Sequence, residues 1–347
     1  MVRVLIVGYG FMGRTHAQVY EGMEGVSIVG VVDAYLKGEC VALPSGQTIQ
    51  VFLDLDQAIQ FLDPTFVDLC VPTDLHLPLG LKVFQARKPL FCEKPISLDY
   101  QGAIQLEQAR RKAGVQAMVG HCIRFWPEYR FLASIIRDRS WGALRLLTMS
   151  RYASRPLSTS QNWVADPNRC CGAALDLHIH DTDFILSTLG DPQQVSSRGL
   201  HESSGWNWIA TEYQYQGIIV RAEGGWNLPP EWPFVMSYRA LFEGGVIDFN
   251  SSRSNPLELF AEQGYPVKSS INGNQNVEIE ARANLSGLSG YVETLRYFVE
   301  KIRTGEAVEE ATLLQAAESL QMTLAEIQSA QNGAPVLSNT FKKYKGN

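Results

Sequence analysis

At 347 residues, the chain has the length of two domains, each large enough to bury its own core. With 45% hydrophobic and 19% charged residues it is neither disordered nor fibrous, and its net charge of −6 argues against a nucleic-acid partner. No apolar run nears the roughly 20 residues of a bilayer span, the start lacks a signal-peptide layout, and the six irregularly spaced cysteines read as reduced thiols. The expectation is a cytoplasmic protein without a membrane partner.

Val2 to Val7 reads as a strand buried on both faces of a parallel sheet. It runs into Gly8-Tyr9-Gly10-Phe11-Met12-Gly13 and then a helix to Glu21. A second strand, Val26 to Val32, ends in Asp33, twenty positions after Gly13. A strand–glycine loop–helix followed by such an acid is a dinucleotide fingerprint. Gly8 permits the turn, Gly10 admits a pyrophosphate, and Gly13 lets helix and strand pack closely. Phe11 and Met12 open the helix whose N–H groups would receive the phosphates. Asp33 would accept from the adenosine ribose hydroxyls and repel a 2′-phosphate. The cofactor expected is therefore NAD(H) rather than NADP(H).

Alternation continues with a strand at Gln50 to Leu53, a helix at Asp56 to Leu62, a strand at Phe66 to Val71 and a helix at Leu75 to Ala86. A strand over Pro89 to Glu93 follows, then a helix over Leu98 to Ala113 capped by Ser97, and a strand over Val115 to Gly120. This is the order of a doubly wound parallel sheet, whose ligand crevice lies beyond the carboxyl ends of its strands. Thr73, His76, Glu93, Lys94, Gly120 and His121 fall at those ends. Lys94 next to Glu93 is placed to orient or polarise a substrate oxygen, and Lys94-Pro95 is a candidate cis peptide.

Beyond residue 121 the pattern changes, and we expect a nucleotide domain over 1–121 and an α/β substrate domain over 122–347. A helix covers Phe125 to Asp138, a strand Leu144 to Tyr152, and Arg151 to Asn168 reads as a loop over the crevice. A helix opens at Gly172 and runs to Leu189, with Asp176 and His180 on one face and His178 and Asp181 elsewhere. Cys170, Cys171, His178 and His180 lack metal-ligand spacing, so no metal site is expected. Five strands between Val195 and Phe249 imply a mainly antiparallel sheet. Trp206, Trp208, Tyr213, Tyr215 and Trp226 are expected on its outer face as a subunit contact. Asn255 to Asn284 reads as irregular, and helices cover Gly290 to Arg303 and Thr312 to Ala330.

The glycine loop with Arg14-Thr15-His16, then Thr73-Asp74-Leu75-His76, Glu93-Lys94-Pro95 and Gly172 through Asp176 to His180, resembles the glucose–fructose oxidoreductase/inositol 2-dehydrogenase (Gfo/Idh/MocA) family. The resemblance spans almost the whole chain in order. It implies an N-terminal Rossmann domain and a C-terminal domain with an open antiparallel sheet that often joins subunits, so a homodimer or homotetramer is expected. It also implies hydride transfer between NAD(P) and a sugar, cyclitol or related polyol. Lys94 would bind the reacting oxygen and the cofactor, Asp176 substrate hydroxyls, and His180 would be the general acid/base. Arg124, Trp163 and residues near Arg151 to Arg155 would touch substrate. Cys170-Cys171-Gly172 departs from the family's glycine run. An NAD-retaining glycosidase and a nucleotide-sensing protein without catalysis are the alternatives.

Overall fold

A computed structural model of the chain describes residues 1–156, 160–170, 172–263, 265 and 288–340. Two compact units emerge. The first gathers the described residues of Met1–Cys122, Thr159–Trp163 and Tyr291–Leu320; the second holds the described residues of Ile123–Ser158, Val164–Gly290 and Gln321–Asn347.

The first unit is built on β1 (Val2–Val7), α1 (Phe11–Glu21), β2 (Val26–Val32), β3 (Cys40–Ala42), β4 (Thr48–Phe52), α2 (Leu55–Leu62) and β5 (Phe66–Leu69). It continues through α3 (His76–Gln85), β6 (Leu90–Cys92), α4 (Tyr100–Ala113) and β7 (Ala117–Val119). The sheet order is β3-β4-β2-β1-β5-β6-β7, parallel throughout except for the β3–β4 hairpin. Val4, Leu5, Ile6, Phe66, Val67 and Leu90 are fully buried, as a sheet covered on both faces requires. The hairpin strand β3 escaped the sequence reading because three residues at an edge carry too little periodicity.

Where the division at residue 121 assigned everything later to the second domain, the structure returns Tyr291–Leu320 to the first unit. The reason is aromatic packing: Phe298, on α7 (Ser289–Thr304), meets Phe66 edge-on at 5.1 Å and Phe91 at 5.6 Å. The α4 cap also differs. Asp99, not Ser97, accepts from Gly102 N–H at 2.7 Å, and Ser97 is buried instead.

The second unit carries α5 (Pro127–Asp138), β8 (Leu144–Ser154), α6 (Ile179–Leu189), β9 (Gln194–Glu202), β10 (Gly205–Tyr215) and β11 (Ile218–Leu228). Next come β12 (Val235–Phe242), β13 (Gly245–Asn250), β14 (Leu257–Ala261) and β15 (Val336–Leu337), and α8 (Leu313–Asn332) contributes its part from Gln321 onward. The strands run β14-β13-β12-β8-β11-β10-β9-β15, antiparallel except where β8 meets β11. Hairpins turn at Gln216-Gly217 and Glu243-Gly244. Leu257–Ala261 is a strand rather than irregular chain; most of the expected irregular stretch beyond it lies outside the described residues.

The five aromatics do not share a face. The two-residue period of β10 turns Tyr213 inward to the helices while Trp208 turns out, and Trp226 on β11 is also fully buried. The outer face is instead a shallow trough of about 680 Å³, lined by Thr148, Ser150, Ser237 and the pairs Arg221–Glu212 and Arg239–Asp248. Trp208 stacks on Tyr152 at 5.2 Å beside it.

Candidate functional site

The glycine loop leaves β1 at a point where only glycine fits. Gly8 has φ +87°, and a Cβ there would lie 2.6 Å from the Cys70 carbonyl oxygen. A Cβ on Gly13 would meet Gly8 O at 2.0 Å, whereas Gly10 faces no atom within 4 Å. That open space adjoins the start of α1, which has neither a side-chain cap nor an acidic residue in its first turn. Its N–H groups can therefore receive an anion. Phe11 lies exposed at this end of the helix.

Asp33 flanks the loop. Its Oδ2 accepts from Tyr9 N–H at 2.8 Å, and Oδ1 from Tyr35 N–H at 2.8 Å and Leu36 N–H at 3.2 Å. A carboxylate so oriented keeps lone pairs for ribose hydroxyls. Space for phosphates and an anchored acceptor for ribose fit a dinucleotide.

Beyond β5, a buried Thr73 opens a short turn into α3. His76 is buried, with Nδ1 2.8 Å from Pro95 O and Nε2 2.9 Å from Val71 O. It staples the segment after β5 to the segment after β6. Burial holds its pKa below the usual value, against the pull of the two carbonyls. Both ring nitrogens face backbone oxygens, so the ring braces these two segments. Glu93 is buried, Lys94 is half-buried, and the Lys94-Pro95 bond is cis. Lys94 N–H donates to Glu93 Oε2 at 3.3 Å.

In the second unit, Gly172 has φ +82°, and its missing Cβ would lie 2.6 Å from Trp206 O. The helix start thus sits directly against the β10 backbone. Ala174–His178 forms a π turn before α6 proper begins at Ile179. Such turns recur at functional sites because they re-aim side chains within a helix. Asp176 lies on the turn, half-buried, and His180 follows on α6 with 7% exposure.

Three buried pairs fix the rotation of this helix. Arg151 donates to Asp181 at 2.9 and 3.2 Å, and Arg124 to Asp183 at 2.7 Å through both Nε and Nη2. His178 Nε2 lies 2.8 Å from Glu326 Oε2, and Glu326 Oε1 accepts from Tyr213 at 2.8 Å and Thr182 at 3.0 Å. Arg124 and Arg151 brace the helix through these pairs, and Arg151 lies within β8 rather than in a loop. Arg155 pairs with exposed Glu202. Trp163 sits half-buried in a short turn, and Cys171 lies outside the described residues. Cys40 is exposed on edge strand β3. The sequence reading missed Glu326, Asp68 and the bracing roles of Asp181 and Asp183, whose partners are remote in the chain.

Residues 2–121 match the model of an oxidoreductase family with an NAD-binding Rossmann fold, and residues 129–247 match the GFO/IDH/MocA C-terminal domain. An inositol 2-dehydrogenase of Arthrobacter sp. (strain FB24) is 32% identical over 73% of this chain and 74% of its own. A 2,7-anhydro-N-acetylneuraminate hydratase of Mediterraneibacter gnavus is 28% identical over 56% of this chain and 51% of its own. Among solved structures, the WlbA dehydrogenase of Bordetella pertussis, in complex with NADH and UDP-GlcNAcA, superposes with a TM-score of 0.82 at 17% identity. That match covers 97% of both chains and speaks for the fold.

Proposed function

Because the chain belongs to the GFO/IDH/MocA family of NAD-binding oxidoreductases, we propose that it moves a hydride between NAD and the hydroxyl-bearing carbon of a sugar, an inositol-like cyclitol or a related polyol. Bound NAD supplies the hydride acceptor and donor. The chain's own residues do the rest.

Oxidising an alcohol develops charge on its oxygen. In this reading the Lys94 ammonium, carried at the end of β6, stabilises that charge. His180 removes the hydroxyl proton, a contribution of about 10²–10⁴-fold for a well-placed imidazole. Asp176 accepts from neighbouring hydroxyls and fixes the ring of the substrate. Asp33 holds the adenosine ribose and selects against a 2′-phosphate.

The observation that carries the reading is the build of each unit. Lys94 stands at the sheet edge that also holds the glycine loop and Asp33. Asp176 and His180 stand on a helix start held in one rotation by Arg151–Asp181, Arg124–Asp183 and His178–Glu326.

A screen of cyclitols and aldoses with NAD, followed by NADH absorbance, tests it. One substrate class should give NADH in step with product. The hydratase among the relatives favours one other reading, a redox-neutral reaction in which product appears with no net NADH. Failure of every polyol to yield either product or NADH overturns the proposal.

A further inference from the structure

The first unit buries a polar cluster that the proposed chemistry does not use. His16, on α1, is fully buried between two carboxylates, Asp68 on β5 and Glu93 just past β6. His16 Nδ1 lies 2.8 Å from Asp68 Oδ2, and His16 Nε2 lies 3.3 Å from Glu93 Oε1. Tyr20 donates to the same Asp68 oxygen at 2.9 Å, and the Cys70 thiol touches both His16 Nδ1 at 3.3 Å and Asp68 Oδ1 at 3.4 Å. Phe91 and Tyr291 close the pocket around the imidazole. Asp68, Cys70, Tyr20, Glu93 and Tyr291 are thus the titratable groups that face it.

His16, Asp68 and Cys70 bring three metal-type ligand atoms within 4.8 Å of one another. The spacing is nevertheless that of hydrogen bonds. Ligands held tetrahedrally about 2.1 Å from a zinc ion stand about 3.4 Å apart, and the 2.8 Å between His16 and Asp68 leaves no place for one.

Two buried atoms point to a proton instead. Among the described residues, His16 Nε2 and Glu93 Oε1 are buried without a hydrogen-bond partner, and they lie 3.3 Å apart. A proton on Nε2 turns this contact into an ion pair and places one cation between two buried anions. Glu93 is also the residue whose Oε2 accepts from Lys94 N–H. Its Oε1 occupies the space above Gly120, where a Cβ would come within 2.5 Å. The carboxylate is therefore gripped from one side by His16 and from the other by the turn that carries Lys94.

We propose that His16 is a positioning residue: as a buried imidazolium it clamps Glu93 to Asp68, and through Glu93 it fixes the turn that presents Lys94. This rests on the reading of Lys94 as the group that binds the reacting oxygen. His16 touches neither substrate nor cofactor in this role. Its loss loosens the placement of Lys94 and leaves two buried carboxylates without the cation between them.

The test is made on the full-length protein with NAD. In ¹⁵N-histidine NMR of the wild type, His16 should carry protons on both ring nitrogens at neutral pH; a neutral ring, with the proton on Glu93 or absent, overturns the proposal. H16Q should keep its NAD affinity within about 3-fold while kcat falls about 10²-fold, the loss expected from a misplaced catalytic group. Its kcat profile should also change shape with pH, because two buried carboxylates then face one another without a cation between them. Wild-type kcat and an unchanged profile in H16Q overturn the proposal while leaving Lys94's role intact. Wild-type turnover in K94A, by contrast, overturns the reading of Lys94 and this proposal with it.

Discussion

Asp33 tests the cofactor assignment residue by residue, because its carboxylate is oriented by three backbone N–H groups before any ligand arrives. Asp33→Ala should weaken NAD binding and narrow the preference over NADP, as read by fluorescence titration with both cofactors. An unchanged ratio would place the ribose contact elsewhere. His16 makes a second prediction, now about stability. Burial works against its charge, but the Cys70 sulfur and the Asp68 carboxylate more than offset this and raise its pKa well above 6.5. A group whose pKa is higher folded than unfolded stabilises fully below its unfolded value and loses that contribution as pH rises through the folded one. Thermal stability should therefore decline on the alkaline side, from about pH 6.5 upward. H16Q should flatten that decline, and parallel Tm–pH curves for the two proteins would contradict it.

Among the elements, the π turn and α6 show how much structure stands behind two half-hidden side chains. Glu326, fully buried, accepts from Tyr213 and Thr182 and faces His178. Glu326→Ala removes the closest partner of His178 and leaves Tyr213 and Thr182 mainly one another at 3.1 Å, so at about 1–3 kcal/mol per orphaned buried group the loss should be about 2–3 kcal/mol in urea unfolding. A loss below about 1 kcal/mol would mean that water or a neighbour replaces the carboxylate. The legibility of the elements follows their range. The glycine loop, Asp33 and the Glu93-Lys94-Pro95 turn are local patterns at strand ends, and the structure puts them along one sheet edge. The braces were not legible: Arg124 meets Asp183 across 59 residues and His178 meets Glu326 across 148, separations at which single-sequence spacing says nothing. The aromatic face failed for a different reason. Trp208 and Tyr213 are five apart, so the strand period sends them to opposite sides.

For the whole molecule, the outer face of the second unit's sheet is the surface we propose for subunit contact. It is charged rather than aromatic, so its contacts should weaken with salt. Light scattering should find a dimer or tetramer that R221E/R239E dissociates; an oligomer indifferent to both changes would assign the contact to another surface. Among the described residues no helix is long and apolar enough to cross a membrane. The family match accounts for the two folds and for NAD. What it leaves to experiment is whether a lysine from one unit and a histidine from the other serve the same oxygen atom. The most direct measurement is a double-mutant cycle on the rate of hydride transfer in wild type, K94A, H180A and the double variant. Residues acting on one oxygen as a unit should each lower the rate by orders of magnitude, and the double variant should be hardly slower than the slower single. Strictly additive losses, or wild-type turnover in either single variant, would contradict the account.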